Sequence, residues 1–341
     1  MRIEAKWIDM FEHVFGLCGV QAGDACAVLS QTQTRPELPQ LSELALLRIG
    51  ARPFHVVLPA RPLAAPVPVR STGASDAIGQ LEPVVQALAG CVFVADCTVE
   101  GLQHAVELPR ILSGGARVLA ISHEHPEILE RCLPRAEDQA PVREAMRRLR
   151  GARQLQVMSA AGTELRVDLA GARIGGVWGF TSKPGTLSHW PGGLVLAFPA
   201  AGCVNGTLVL DRGDVNLTFK RYLQEPVRLL IEHDHAVRVE GDSVDGDLMR
   251  GYFAAWGDRD AYAVSHVGWG LNRRARWDAM AFYDKADFNG TELRAFAGNF
   301  LYSTGANEVA GRHTPGHFDL PLRNCTVLLD GVAVVEQGRL L

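Results

Sequence analysis

His317 and Asp319, flanking Phe318, are the side chains whose types and spacing point most directly to chemistry in this sequence. In an extended strand, residues i and i+2 lie on the same face, so an imidazole and a carboxylate at this spacing can aim donors at one ion. A third ligand would complete a facial site. His266 supplies it: it ends the run Tyr262-Ala263-Val264-Ser265 and precedes Gly268-Trp269-Gly270, read as a turn, which predicts a strand-end position facing a cleft. Two imidazoles and one carboxylate on a single face, with open positions opposite, form the set associated with non-haem Fe(II) that activates dioxygen. An isolated His-x-Asp is also a frequent surface pattern, and a lone strand-end histidine is more often structural, so context must decide.

The other histidines divide by setting. His233 and His235, in Glu232-His233-Asp234-His235, fit a polar hairpin turn between the strand runs Val227 to Ile231 and Ala236 to Val239, and are read as exposed. His123 and His125 fit a loop and a helix start, and His313 falls on the loop before His317. His104 lies in a stretch read as helical, Glu100 to Leu112. His189, in Ser188-His189-Trp190-Pro191, sits in an aromatic and Gly/Pro-rich loop. Loops carried on a rigid scaffold are where binding groups concentrate.

The elements that must position these groups follow from periodicity. Trp7, Ile8, Met10, Phe11, Val14, Phe15 and Leu17 follow helical spacing and open the chain with an amphipathic helix. Strand-like runs at Ala25 to Leu29, Phe54 to Leu58, Cys91 to Ala95, Arg117 to Ile121 and Gln154 to Met158 then alternate with helical stretches at Glu43 to Gly50, Ala77 to Leu88, Glu100 to Leu112 and Val142 to Arg150. Strands separated by helices imply right-handed crossovers and a parallel sheet covered on both faces. Beyond Arg153 the pattern changes to short strands at Glu164 to Leu169, Gly193 to Phe198, Gly206 to Leu210 and the two runs around His233, broken by Gly, Pro and Asp-Gly turns. The fold class expected is a parallel-sheet α/β domain over residues 1–155, then a sheet-rich α+β metal-binding domain over 156–341. Two domains also suit a chain of 341 residues.

Composition narrows the function classes. With 47% hydrophobic and 21% charged residues the chain should fold throughout. A net charge of -4, with Lys and Arg spread singly apart from Arg147, Arg148, Arg150 and Arg273, Arg274, Arg276, argues against nucleic acid. No Walker-type loop or G-x-G-x-x-G follows the first strand, so no motif supports a nucleotide role. Seven scattered cysteines without a C-x-x-C pair suggest neither disulfide framework nor zinc knuckle, and fit a reducing cytoplasm. No leader-like apolar core follows Met1 and no apolar run approaches the ~18 residues that span a bilayer, so neither export nor membrane insertion is expected.

Two segments carry a resemblance. Ser265-His266-Val267-Gly268-Trp269-Gly270-Leu271 with Arg274-Ala275-Arg276-Trp277, and the stretch from Arg294 through Gly305 with Thr314-Pro315-Gly316-His317-Phe318-Asp319-Leu320-Pro321-Leu322-Arg323-Asn324-Cys325, resemble bacterial 2,5-dihydroxypyridine 5,6-dioxygenases. The likeness is continuous over roughly residues 155 to 341 and thinner before that, around Met10 to Val14 and Leu102 to His104. It implies Fe(II) bound by His266, His317 and Asp319, the residues that spacing had selected. It also implies a small aromatic N-heterocycle and O2 as reactants, ring opening to N-formylmaleamate in pyridine catabolism, and a homo-oligomer.

On that reading His104 and His189 are candidates to accept and return the ring hydroxyl proton, since an imidazole near its own pKa suits both roles. Arg294 and Ser303 are candidates to hold a ring oxygen or nitrogen, or developing charge, by charge-assisted hydrogen bonds. Surface, capping or structural roles are the plain alternatives for all four. The family is in turn similar to two-metal aminopeptidases, which implies an aminopeptidase-like fold. Here Leu194, in Pro191-Gly192-Gly193-Leu194-Val195, stands where an aminopeptidase glutamate is expected, and His266 replaces another. A leucine cannot bridge metals, so a single iron is favoured over the rival reading, a hydrolytic metal pair.

Overall fold

The computed structural model describes residues 2–60, 76–121, 123–287 and 289–341. Five parallel strands form one sheet, in the order Arg52–Leu58, Ala25–Gln31, Phe93–Asp96, Arg117–Ala120, Leu187–His189. Alternation along Ala25–Gln31 explains why both faces are buried. Cys26 and Val28 join Phe11, Phe15, Leu38, Leu41 and Trp190 on one side. Ala27 and Leu29 join Val85, Leu88, Ile111 and Val118 on the other. Burying each face under helices is the condition under which an all-parallel sheet is stable. The fifth strand, Leu187–His189, reaches this sheet from the C-terminal half of the sequence.

Two antiparallel sheets make up most of the rest. One has eight strands, His235–Glu240, Val227–Glu232, Val204–Leu210, Glu164–Asp168, Gln154–Met158, Thr326–Leu329, Val332–Glu336 and Arg339–Leu340. The other has five, in the order Asp319–Leu322, Phe300–Thr304, Val264–Gly270, Leu194–Phe198, Arg173–Val177. A shared core fills the space between them, with Leu155, Val157, Leu165, Leu208 and Ile231 from the first meeting Val195, Val267, Trp269, Phe300, Tyr302, Leu320 and Leu322 from the second. Period-2 alternation then directs Leu194, Leu196, His266, Leu301, Ser303 and Asp319 to the opposite face of the five-stranded sheet. That face is where the site forms.

Four local expectations change. Gln154–Met158 is a strand, but it pairs antiparallel with Glu164–Asp168 and Thr326–Leu329 instead of continuing the parallel sheet. The helix expected from Glu100 begins only at Leu108, because Asp96 accepts hydrogen bonds from Thr98 and Leu102 and holds the intervening chain in turns. His104 therefore rides on a loop. The helix expected from Ala77 likewise starts at Glu82, with a proline in its first turn. His266 is the third residue of Val264–Gly270 rather than a strand end, and Gly268-Trp269-Gly270 is strand, not turn. Glycine stands at 268 for contact: a Cβ there would lie 1.9 Å from the Val195 carbonyl oxygen.

All seven cysteines are free thiols. Among the described residues no helix is long and apolar enough to cross a membrane.

Candidate metal centre

Strand register assembles the site. His266 lies opposite Ser303 and Ser303 opposite Asp319, so three adjacent antiparallel strands present these side chains in one row. A register shift between Val264 and His266 re-aims the histidine toward that row. His317 stands two residues before Asp319, just outside the strand, and its backbone is pinned by Tyr252. That hydroxyl accepts from the His317 N–H at 3.0 Å and donates to the His317 carbonyl at 2.6 Å.

One donor atom from each of His266, His317 and Asp319 lies within 4.8 Å of the others, and all three residues are buried. Among the described residues this is the one such group of three histidine, cysteine, aspartate or glutamate side chains. His317 Nε2 is 3.3 Å and His266 Nε2 3.8 Å from Asp319 Oδ1. Two imidazoles and a carboxylate fit a divalent transition metal by donor type, number and spacing.

The surroundings prepare these groups for ligation. The Ser265 hydroxyl has one proton, donated to the Ala306 carbonyl at 2.5 Å, so at 3.0 Å from His266 Nδ1 it can only accept. His266 must therefore carry its proton on Nδ1, leaving the Nε2 lone pair toward Asp319. Burial lowers the His266 pKa to about 3, so the ring is the neutral, ligating form at pH 7. For Asp319, burial alone would raise the pKa, but the Arg294 guanidinium and the neighbouring imidazoles outweigh it and hold the carboxyl well below its ordinary range. Arg294 Nε donates to Asp319 Oδ2 at 2.5 Å, and the Ser303 hydroxyl donates to Oδ1. Both residues weighed above as substrate contacts thus grip the carboxylate.

His104 and His189 join the same site. The His104 ring is 5.0 Å from His317 and stacked at 5.9 Å on His266, centroid to centroid. His189 closes the parallel strand Leu187–His189 and is not in a loop; its Nε2 is enclosed without a hydrogen-bond partner. Burial, reinforced by neighbouring imidazoles, pushes the His104 pKa well below the ordinary value. Burial, then the Arg294 charge, lowers His189 to about 4. Both are therefore proton acceptors at neutral pH.

These side chains line a cavity of about 50 Å³ together with Glu100, Asn289 and Thr291, and Val177, Leu194, Leu196 and Leu301 form its apolar wall. A second cavity of about 260 Å³ shares Gln103 and His104 with it, and opens between Arg173, Phe198 and the exposed His313. Another cavity, about 370 Å³ around Asp138, Trp178 and Arg274, contains none of these groups. The remaining histidines stay apart. His235 Nδ1 is 2.9 Å from the His233 carbonyl in the hairpin turn, His125 caps the helix Pro126–Arg131, and His123 accepts from the Arg35 N–H.

Two contributors, Asp96 and Glu124, lie outside the residues that the sequence singled out. Asp96, in Asp96-Cys97-Thr98, has the aspartate and hydroxyl spacing of a turn cap, which could have been read. Glu124, from the parallel half, accepts from the Gly290 and Thr291 N–H groups at 3.0 and 2.6 Å, a pairing that no local pattern announces.

Comparison with known proteins identifies the family. A family model described as 2,5-dihydroxypyridine 5,6-dioxygenase (NicX) matches residues 6–341. The chain is 37% identical over 338 residues to the 2,5-dihydroxypyridine 5,6-dioxygenase of Pseudomonas putida strain KT2440, spanning 98% of this chain and 95% of that one. The solved structure of 2,5-dihydroxypyridine dioxygenase from Pseudomonas putida KT2440 matches with TM-score 0.93 at 35% identity, covering 100% of this chain and 98% of that one. AmpT from Thermus thermophilus matches with TM-score 0.64 at 14% identity over 98% of both chains, a likeness of fold alone.

Proposed function

Because the chain belongs to the 2,5-dihydroxypyridine 5,6-dioxygenase family, we propose that it opens 2,5-dihydroxypyridine between ring carbons 5 and 6 with O2, giving N-formylmaleamate, at Fe(II) held by His266, His317 and Asp319. The observation that carries the metal assignment is the convergence of two imidazoles and one ion-paired carboxylate, all buried, within 4.8 Å. Fe(II) there would supply the redox chemistry that lets a closed-shell ring react with triplet dioxygen.

The protein's own part is positioning and proton handling. His189, neutral at pH 7, is the acceptor for the ring 5-hydroxyl proton, and the imidazolium so formed returns that proton during cleavage; His104, packed against both metal-binding imidazoles, is the second neutral acceptor facing the same cavity. Arg294 lines the cavity while gripping Asp319, so its charge also favours an anionic ring oxygen beside the metal. The apolar wall of Val177, Leu194, Leu196 and Leu301 keeps water from that charge and packs against the ring. A ring entering from the 260 Å³ chamber passes His104 and Gln103. Leu194 in this wall disfavours the two-metal aminopeptidase reading, since a leucine side chain offers no oxygen to bridge a second ion.

Enzyme reconstituted anaerobically with Fe(II) is expected to consume O2 and 2,5-dihydroxypyridine in equal amounts, followed with an oxygen electrode and by loss of the substrate's ultraviolet absorbance. If neither is consumed by the iron-loaded protein, the substrate assignment fails.

The pH dependence has a defined sign. A histidine whose folded pKa is lowered stays neutral as the pH falls through the ordinary imidazole value and protonates only near its depressed one. For His189 that value is about 4, and a bound cation would lower it further. The acid limb of kcat/KM is therefore expected well below pH 6.5, and it should change in His189→Gln. A limb at 6.5 or above that the substitution leaves in place would remove His189 as the acceptor.

A further inference from the structure

Asn289 sits in the seam between the parallel half and the metal-bearing sheet, and its side chain is bonded in both directions. Its Oδ1 accepts from Arg294 Nη1 at 2.7 Å, and its Nδ2 donates to the Val99 carbonyl at 3.0 Å. Chemistry dictates this orientation, because a guanidinium can only donate and a carbonyl can only accept. Arg294 in turn donates to Asp319. Val99 belongs to the turn segment after Phe93–Asp96 that carries His104, whose other tethers include Asp96, bonded to Thr98 and Leu102, Gln31, whose side chain accepts from the Val99 N–H, and Thr34, whose hydroxyl donates to the Cys97 carbonyl.

The backbone that presents Asn289 is itself fixed from the parallel half. Glu124, fully buried, accepts from the N–H groups of Asn289, Gly290 and Thr291 at 3.3, 3.0 and 2.6 Å. Gly290 makes this geometry possible: its φ of 104° lies in the region L side chains avoid, and an added Cβ would meet Leu217 Cδ2 at 2.8 Å. Asn289 is 4% exposed and lines the inner cavity.

We propose that Asn289 is a positioning residue for this reaction, which holds the loop bearing His104 against the metal centre with its amide N–H2 and steadies Arg294 on Asp319 with its amide oxygen. The role of His104 that it serves rests on the function proposed above; the tether itself does not. One amide thereby sets the distance between the proton-handling loop and the metal-binding carboxylate. A longer, shorter or purely accepting side chain cannot meet both demands.

The test is local hydrogen exchange in the metal-free protein, together with Co(II) affinity measured by chelator competition, for wild type, Asn289→Ala and Asn289→Asp. Asn289→Asp retains an acceptor for Arg294 but, ionised, has no donor for Val99. Both variants are expected to raise exchange of amides in residues 97–107 about tenfold or more, with exchange in the strands Ala25–Gln31 and Phe300–Thr304 unchanged. Asn289→Ala is also expected to weaken Co(II) binding about tenfold, within the range for groups that orient metal ligands. A general packing role would raise exchange across the core and lower Tm without singling out this loop. Exchange in 97–107 equal to wild type in the folded variants overturns the proposal. Neither readout requires turnover, so a wrong substrate would leave the result standing, and a negative result here would leave the dioxygenase assay untouched.

Discussion

Replacing His317 by alanine is expected to abolish stoichiometric iron binding and to lower turnover at least ~1000-fold, roughly 4 kcal/mol of barrier. With the imidazole gone, His266 and Asp319 offer too few donors to hold an ion facing two reactants. The fold should survive, because the segment is anchored through the His317 backbone by Tyr252 and through the neighbouring Phe318 by the core, neither of which needs the imidazole. Iron content per chain, oxygen uptake and a thermal melt of the metal-free protein check this together. A variant that keeps iron and most of its oxygen uptake would displace His317 from the metal site.

Removing the cation beside the carboxylate is expected to act on both stability and metal binding. Arg294→Met leaves Asp319, 5% exposed at its side chain, without the partner that holds it ionised. Taking one member from a buried ion pair costs roughly 3–5 kcal/mol, because the remaining charge is left uncompensated. In the wild type the depressed carboxyl contributes stability above the ordinary aspartate pKa, and this is lost only as pH falls through the depressed value. In the variant burial acts unopposed by Arg294, the carboxyl pKa rises, and protonation competes with metal at higher pH. Metal affinity is therefore expected to fall about 10- to 100-fold at neutral pH and further on acidification. Denaturation of the metal-free protein and metal titrations from pH 5 to 8 would show it. Unchanged affinity across that range would mean that Ser303 alone suffices to orient Asp319.

The two residues Arg294 and Ser303 show where sequence reasoning reached its limit. Their types, a guanidinium and a hydroxyl near a His-x-Asp segment, were readable as polar groups serving the site. Their direction was not. Ser303 faces Asp319 because Phe300–Thr304 pairs with Asp319–Leu322 in one particular register, and a shift of one residue would have turned it into the core. The helix expected at Glu100 failed for a related reason. Leu102, Ala105 and Leu108 have helical spacing, but Asp96 captures the backbone N–H groups of Thr98 and Leu102 first. Likewise Gly268 and Gly270, which in one dimension resemble a turn, are glycine because neighbouring chains pass too close for a Cβ.

By itself the sequence determined the pairing of His317 with Asp319 and the kinds of element around it. His317 and Asp319 share a face through a two-residue period, and short apolar runs such as Ala25 to Leu29, bounded by polar and glycine-rich segments, mark strands buried on both faces, because short-range sterics link such patterns to backbone conformation. Only the tertiary structure decided which of the eleven histidines meet, that Leu187–His189 crosses into the parallel sheet to bring His189 to the site, and that Glu124 and Asn289 tie the two halves together there. Those outcomes depend on strand order, register and contacts between residues far apart in the sequence, up to 190 positions for Asn289 and Val99. Such contacts are set by packing and by the need to pair every buried polar group, neither of which leaves a period in the local sequence.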